Sequence, residues 1–199
     1  MYKIKEINYN SNSYLNEDVI YYHRILYKRY LDRLNEQLTK NNYNFNMTKE
    51  SIVNNLEMFP LEDRGNILFN LGGVLNHELY FDNIEPGTNY VNNNLFINKI
   101  NSKYGSFSNF KNTFKEEASK LVGSGYTFLV LDKNNDLKII NLPNQETPIT
   151  YGFKPLIALD LWEHSYYLQY KVNKSNYIDN FLDNLNIHNI NNIYMNTLK

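Results

Sequence analysis

The spacing of apolar residues along this 199-residue chain changes from the period of a helix to that of a strand, and returns to that of a helix in the tail. Between Asn16 and about Lys40, apolar residues recur every three to four positions, which predicts one buried face of a long helix. These residues are Val19, Tyr22, Leu26, Tyr30 and Leu34. Farther on, the short β-rich runs Tyr126–Leu131 and Leu137–Asn141 flank a polar loop and predict a hairpin. The chain therefore combines a helical first half with a small antiparallel sheet in its second half.

A linker divides the predicted helices of the first 84 residues from the rest of the chain. The segment Glu85-Pro86-Gly87-Thr88 is the clearest break in the chain, because Pro and Gly interrupt regular structure. A third strand is predicted over Pro155–Leu159, directly before Asp160. The other predicted helices cover Lys49–Met58, Leu61–Tyr80, Tyr90–Tyr104, Ser106–Val122 and parts of the tail Tyr166–Tyr194. We expect an all-helical domain over residues 1–86 and an α+β domain over residues 87–199.

Composition excludes several classes of function. The 20 basic and 21 acidic residues balance, which argues against a nucleic-acid-binding surface. The absence of cysteine excludes disulfides, thiolate metal sites, iron–sulfur clusters and cysteine nucleophiles. No apolar run approaches the roughly 18–20 residues of a membrane span, and residues 1–6 lack the apolar core of a signal peptide. We therefore expect a soluble, cytoplasmic protein that binds neither nucleic acid nor membranes.

Histidine and aspartate offer the clearest candidates for chemistry. The chain has four histidines, at positions 23, 77, 164 and 188. Asp160 and His164 are four residues apart, a spacing that suits two ligands of a first-row metal. On spacing alone, an exposed Asp and His on a polar surface is the more common case. His77 lies in a mostly apolar predicted helix, where a hydrogen-bonded core histidine is the alternative to a ligand.

The residues around these candidates resemble one family. The octapeptide Asp160-Leu161-Trp162-Glu163-His164-Ser165-Tyr166-Tyr167 is similar to the signature Asp-x-Trp-Glu-His-x-Tyr-Tyr of the iron/manganese superoxide dismutases. Gly72-Gly73-Val74-Leu75-Asn76-His77 resembles the family's Gly-Gly-His-x-Asn-His, and Tyr30-Leu31-Asp32-Arg33-Leu34-Asn35 resembles its Tyr-Val-x-x-Leu-Asn. The resemblance covers essentially the whole chain.

The resemblance implies a fold and a metal site. The fold is an N-terminal helical hairpin followed by a C-terminal α/β domain with a three-stranded antiparallel sheet. One manganese or iron ion lies between them, held by three His and one Asp, and the matching motifs make His77, Asp160 and His164 ligands. Gln145 and Tyr30 correspond to the residues that hydrogen-bond the metal-bound solvent and control access to it. Gln145 with Gly73 opposite it is the arrangement typical of manganese-type members.

The resemblance also implies an activity and a partner. Family members convert superoxide to oxygen and hydrogen peroxide, and they form homodimers in which the residue matching Glu163 reaches the His164 counterpart of the partner subunit. Trp162 and Tyr166 would line the site, and Tyr167 would face the partner. Lys174 lies at or next to the sequence position of the family's arginine that attracts the anion. A lysine there supplies the positive charge without the guanidinium group. The alternative is a catalytically impaired protein of the same fold with a structural or metal-binding role.

The resemblance leaves the first ligand open. Family members carry a ligand His eight residues before the tyrosine that matches Tyr30, and this position is Tyr22. His23 is one residue away, about 100° round a helix. Three alternatives remain: a one-residue deletion or helical bulge turns His23 to the metal, Tyr22 binds as a phenolate, or the site has three protein ligands or none. As an ordinary helix residue, His23 would be partly exposed.

Overall fold

The computed structural model describes residues 1–7, 15–84 and 94–198 of the chain. None of the helices in these ranges has the length and apolar character needed to cross a lipid bilayer. The predicted linker over residues 85–88, and with it the proposed domain boundary after residue 86, lies outside the described residues.

The described residues form eight α-helices and three β-strands. The helices are α1 (Glu17–Lys40), α2 (Lys49–Val53), α3 (Leu61–Ile84), α4 (Leu95–Tyr104), α5 (Phe107–Ser119), α6 (Tyr167–Tyr170), α7 (Lys174–Asp183) and α8 (Ile187–Thr197). The strands are β1 (Gly125–Leu131), β2 (Leu137–Pro143) and β3 (Lys154–Asp160). Short 3₁₀ turns occupy Leu56–Met58, Pro148–Tyr151 and Glu163–Ser165.

Helices α1 and α3 form an antiparallel pair. Lys40, the last residue of α1, pairs with Asp63 near the start of α3 at 3.1 Å. Tyr27, in the first half of α1, donates to Glu78 near the end of α3 at 2.7 Å. Helix α1 begins at an Asn16 cap, whose side chain accepts from the Val19 N–H at 3.0 Å. This pairing brings the first turns of α1 beside the last turns of α3.

The buried face of α1 differs from the predicted one. The side chain of Tyr22 is 52% exposed and Leu26 is only partly buried, so these two positions do not belong to the core. The buried residues of this helix are Val19, Ile20, His23, Tyr27, Leu31, Leu34 and Leu38. The predicted stripe was therefore correct at Val19 and Leu34 and wrong at Tyr22 and Leu26, where the next residues, His23 and Tyr27, are buried instead. A tyrosine keeps its hydroxyl in water and so tolerates exposure, which misleads a count of apolar residues.

The sheet is antiparallel throughout, in the order β2-β1-β3. Strand β1 lies at its centre and is buried over its whole length. The loop between β1 and β2 is held by Asp132, whose carboxylate accepts from the N–H groups of Asn134 and Asp136 at 2.8 and 3.0 Å. The predicted hairpin and third strand are thus confirmed, each with ends shifted by one or two residues.

A buried asparagine joins the helical half to the sheet. Asn83, near the end of α3, accepts from the Ala158 N–H at 2.8 Å and donates to the Leu156 carbonyl at 3.0 Å. Both partners lie on β3, so α3 and β3 are fixed side by side. The predicted fold class, a helical N-terminal region with a C-terminal part containing a three-stranded antiparallel sheet, is confirmed.

Candidate metal centre

Four side chains converge where α1, α3 and the end of β3 meet. Each of His23, His77, Asp160 and His164 offers one donor atom, and these atoms lie within 4.8 Å of one another. Asp160 is central: its Oδ2 atom is 3.1 Å from His23 Nε2, 3.4 Å from His164 Nε2 and 4.0 Å from His77 Nε2. The side chains of His23, His77 and Asp160 have no exposed surface, and that of His164 is 19% exposed.

His77 is oriented by its own helix. Its Nδ1 atom is 2.6 Å from the Gly73 carbonyl, one helical turn earlier. Since a carbonyl only accepts, Nδ1 carries the proton and the Nε2 lone pair faces the cluster. Burial, reinforced by His23, lowers the pKa of His77 to about 3, so the imidazole is neutral. Nε2 is buried and has no hydrogen-bond partner among the described residues.

Asp160 is held as an anion by its surroundings. Its Oδ1 atom accepts from the Trp162 N–H at 2.8 Å, which leaves Oδ2 directed at the histidines. Its backbone carbonyl accepts from the hydroxyls of Ser165 and Tyr177, both at 2.9 Å. Burial by itself raises the pKa of Asp160, but His164 and His23 outweigh this effect and hold the pKa well below its ordinary value.

The structure places His23, and not Tyr22, at the cluster. His23 is fully buried, so the reading of a partly exposed helix residue was wrong. Helix α1 is α-helical without interruption, and His23 precedes Tyr30 by seven residues. Seven residues return to within about 20° of the starting direction, whereas the eight that separate Tyr22 from Tyr30 do not. In this chain the shorter spacing therefore puts His23 and Tyr30 on one face.

His23 differs from His77 in how its ring is supported. Its Nε2 atom faces Asp160, but its buried Nδ1 atom has no hydrogen-bond partner among the described residues. Burial lowers the pKa of His23. Aromatic rings surround it, with Tyr80 and Phe81 at centroid distances of 4.8 and 5.0 Å. Packing, together with the contact between Nε2 and Asp160, orients this imidazole.

The four donors fit a first-row transition metal. With bonds of about 2.1 Å, neighbouring ligand atoms in a four-coordinate site lie roughly 3–4 Å apart, which agrees with 3.1, 3.4 and 4.0 Å around Asp160 Oδ2. Neutral imidazoles and one carboxylate are a donor set for manganese, iron or zinc. The unpartnered Nε2 atoms of His77 and His164 have the buried lone pairs that a metal would accept.

Tyr30 and Gln145 meet beside the cluster. The Gln145 amide donates to the Tyr30 hydroxyl at 3.2 Å, and the Tyr30 ring is 5.3 Å from that of His77. Gln145 is buried, and its Oε1 atom has no partner among the described residues. Burial raises the pKa of Tyr30. The two predicted solvent-binding residues are therefore adjacent to each other and to one candidate ligand.

Two glycines of α3 make room for this pair. A Cβ atom on Gly73 would lie 2.6 Å from the Tyr30 ring, and one on Gly72 would lie 2.0 Å from the Gln145 carbonyl oxygen. Gly72 thus meets the backbone of Gln145, whereas Gly73 meets the ring of Tyr30. The expected placement of Gly73 opposite the Gln145 side chain stays a prediction.

The other predicted site residues lie at different depths. The Trp162 ring is 5.8 Å from that of His164, and Tyr166 is buried against Tyr177 at 5.3 Å. Glu163 and Tyr167 are exposed on this chain, so their expected contact with a partner subunit stays a prediction. Lys174 is partly buried at the start of α7, which lowers its pKa.

Two tyrosines at the site received no role from the sequence. Tyr126 is fully buried, and its hydroxyl is 3.4 Å from His77 Nδ1. It pairs across the sheet with Asp160, a neighbour that only the register of β1 and β3 reveals. Tyr27 packs near His77 with nearly parallel rings, 6.2 Å apart. Its spacing of four from His23 and three from Tyr30 is the sequence signal that could have found it.

The chain matches a known protein family. The family model described as "Iron/manganese superoxide dismutases, C-terminal domain" matches residues 92–193, just over half of the chain. The matched range contains Gln145, Asp160 and His164. His23 and His77 lie outside it, so their convergence on Asp160 is an observation independent of the match.

Proposed function

Because the chain belongs to the iron/manganese superoxide dismutase family, we propose that it is a superoxide dismutase that converts two superoxide anions and two protons to oxygen and hydrogen peroxide. The observation that carries the proposal is the convergence of three imidazoles and one carboxylate within 4.8 Å. Bound there, manganese or iron supplies a one-electron couple between its +2 and +3 states.

The ligands set the charge of the site. In the proposed role, Asp160 is the only anionic ligand, and three neutral imidazoles complete the set. A single carboxylate offsets part of the metal charge without favouring the +3 state as strongly as several anions would. The Trp162 N–H and the Gly73 carbonyl hold Asp160 and His77 in place from outside the set.

Tyr30 and Gln145 are proposed to handle protons. The Gln145 amide donates to the Tyr30 oxygen, which leaves the hydroxyl proton of Tyr30 available to another acceptor. Gln145 Oε1 is buried and unpartnered among the described residues, so it is ready to accept a hydrogen bond from a small oxygen species. The second half of the reaction consumes two protons, and this pair lies beside the cluster where they are needed.

Other side chains are proposed to attract the substrate, to contact a partner subunit or to line the site. Lys174 is the cation that would attract superoxide, and Glu163 and Tyr167 offer an exposed surface for a second copy of the chain in a homodimer. Trp162 and Tyr166 would close the wall of the site around His164. Manganese is the metal proposed first, because a glutamine at the position of Gln145, in the loop after β2, resembles the arrangement of the manganese-type members. The donor atoms themselves accept iron equally well.

The test combines metal analysis with an assay. We expect the chain to bind about one manganese or iron ion and to consume superoxide when loaded. His77→Ala should lose both metal and activity, whereas His188→Ala, at an exposed histidine on α8, should keep both. Gln145→Leu should keep the metal and lose turnover, since its side chain contacts Tyr30 and not the donor atoms.

The same experiment decides the alternative. A chain that binds one metal ion but consumes no superoxide above the rate of its metal-free form would be a metal-binding protein of this fold, not a dismutase. A chain that binds no manganese or iron would contradict the proposed site altogether. The His188→Ala control separates loss of a ligand from general loss of histidine binding capacity.

A further inference from the structure

One buried tyrosine on α1 lies between the two site residues of that helix. Tyr27 follows His23 by four residues and precedes Tyr30 by three, so all three share one face of α1. Its side chain has no exposed surface. Its ring lies near that of His77, with centroids 6.2 Å apart and planes 16° from parallel. Tyr27 therefore packs against a candidate ligand without offering an atom to the metal.

The hydroxyl of Tyr27 is anchored away from the cluster. It donates to Glu78 Oε1 at 2.7 Å and accepts from the backbone N–H of Lys5 at 3.0 Å. Glu78 follows His77 directly in α3, and its carboxylate is bound by Lys49 at 2.6 Å. The side chains of Glu78 and Lys49 are only 13% and 18% exposed, so this ion pair is shielded from solvent. Both hydrogen-bonding functions of the hydroxyl are therefore used.

The N-terminal segment that contacts Tyr27 is itself fixed to α1. The Asn35 side chain accepts from the Tyr2 N–H at 3.0 Å and donates to the Tyr2 carbonyl at 2.8 Å. The Tyr2 hydroxyl donates to the Met47 carbonyl at 2.6 Å. Lys5, three residues after Tyr2, also pairs with Asp82 through its ammonium group. The Tyr27 hydroxyl therefore accepts a hydrogen bond from a backbone segment that is itself fixed in position.

The His77 ring needs support beyond its own hydrogen bond. The Gly73 carbonyl and the Tyr126 hydroxyl both contact Nδ1, at 2.6 and 3.4 Å, but contacts at one atom allow an imidazole to tilt about that atom. A tilt moves Nε2, the atom directed at Asp160. An aromatic ring held at its far end by Glu78 and Lys5 opposes that tilt by packing.

We propose that Tyr27 is a positioning residue of the metal centre: anchored by Glu78 and the N-terminal segment, its ring holds the imidazole of His77 in the orientation that directs Nε2 at the metal. This inference rests on the proposed metal site, but not on dismutase activity. It assigns to the N-terminal seven residues a part in holding that site, through the Lys5 N–H.

Two substitutions at Tyr27 separate the ring from the hydroxyl. Tyr27→Phe keeps the ring and releases its anchor, and Tyr27→Leu removes the ring. We expect manganese affinity, measured by competition with a chelator, to fall by about ten-fold or more in Tyr27→Leu and by less in Tyr27→Phe. The electron paramagnetic resonance spectrum of the iron-loaded protein should broaden in the same order, because a mobile ligand gives a range of geometries.

Tyr194 provides the matched control. It is also a buried tyrosine, on α8, and its ring packs against that of Phe96 at a centroid distance of 6.2 Å. Tyr194→Leu should lower the free energy of unfolding without changing the metal affinity or the spectrum of the folded protein. Comparing the two leucine variants separates a general loss of packing from a loss of ligand orientation.

The outcomes are distinct. Equal metal affinity and an unchanged spectrum in folded Tyr27→Leu would overturn the role of Tyr27 and leave the proposed function intact. Failure of the unsubstituted chain to bind manganese or iron would overturn the proposed function and this inference with it. If Tyr27→Leu does not fold, Tyr27→Phe decides: a spectrum identical to that of the unsubstituted protein, with equal affinity, contradicts the proposal.

Discussion

At the scale of single residues, the site depends on a glycine, which has no side chain, as much as on the side chains that line it. Glycine at position 73 lets the Tyr30 ring approach α3, since a Cβ there would lie 2.6 Å from the ring. Gly65, in the same helix, has no heavy atom within 4 Å of the corresponding position. Glycine therefore permits a close contact at position 73 and has no packing role at position 65.

This contrast predicts opposite effects for the same substitution. Gly73→Ala should force the Tyr30 ring aside and lower the free energy of unfolding by about 1–3 kcal/mol. Gly65→Ala should raise it by about 0.5–1 kcal/mol, because alanine is the better helix former. Urea denaturation of both variants measures this. Equal effects at the two positions would contradict the close approach of Tyr30 to α3.

The first ligand shows how one residue of spacing changes an assignment. A fixed distance of eight residues from Tyr30 points to Tyr22, whereas the uninterrupted α1 helix brings His23 to the cluster. The spacing of seven residues keeps His23 on the same helix face as Tyr30 because seven residues make nearly two helical turns. The metal-ligand role of His23 is still a proposal, and its unpartnered Nδ1 sets it apart from His77.

At the scale of elements, the contact between α3 and β3 places two candidate ligands together. His77 lies in α3 and Asp160 ends β3, and the Asn83 side chain bonds both an N–H and a carbonyl of that strand. Asn83 is fully buried, so neither strand group has access to water if the side chain is removed.

We therefore expect Asn83→Ala to destabilise the fold strongly. The substitution leaves the Ala158 N–H and the Leu156 carbonyl without their partner, which should lower the free energy of unfolding by about 2–4 kcal/mol. Asn66→Ala, at an exposed position of the same helix, should change it by less than about 0.5 kcal/mol. Thermal and urea unfolding of the two variants test this, and similar losses in both would count against the bridging role of Asn83.

The β1–β2 hairpin should make the free energy of unfolding depend on pH in the acid range. Lys138 and the Asp136 N–H lower the pKa of Asp132 to about 2, below the ordinary value of an unfolded aspartate. A carboxyl with a lowered folded-state pKa stabilises the fold above its unfolded pKa, near 4, and loses that contribution as the pH falls to 2. The unfolding free energy should therefore fall more steeply between pH 4 and pH 2 in the unsubstituted chain than in Asp132→Asn. Parallel curves would contradict the role of Asp132.

At the scale of the whole molecule, the candidate ligands join distant parts of the chain. His23 and His77 come from the helical half, whereas Asp160 ends the last strand of the sheet and His164 follows it. The division into domains at residue 86 stays a prediction, since that boundary lies outside the described residues. A metal held by all four side chains would bind the folded chain and not the unfolded one.

Removing the metal should therefore lower the stability of the whole chain. At a free metal concentration about 1,000 times the dissociation constant, binding adds roughly 4 kcal/mol and raises the Tm by about 10 °C. Differential scanning calorimetry with manganese and with a chelator measures the shift. His77→Ala should show the same Tm under both conditions, and a metal-dependent Tm in that variant would point to binding elsewhere.

Local patterns in the sequence were sufficient for the elements and for much of the family resemblance. The hairpin around Asp132 and the long helices depend on turn residues and on periodicity over a few residues, which neighbours in sequence control. The motif from Asp160 to Tyr167 carried the expectation of a metal site through its resemblance to the family signature, since the spacing of Asp160 and His164 alone did not decide it. These features need no knowledge of which segments meet.

The tertiary structure alone decided which face of each element is buried. Tyr22, Leu26 and His23 are all compatible with a helix, and only packing against α3 and β3 selects His23 for the interior. The same holds for Gly72 against Gln145 and for Tyr27 against His77. Those contacts join residues far apart in sequence, and their geometry depends on helix rotation and strand register, which a shift of one residue changes completely.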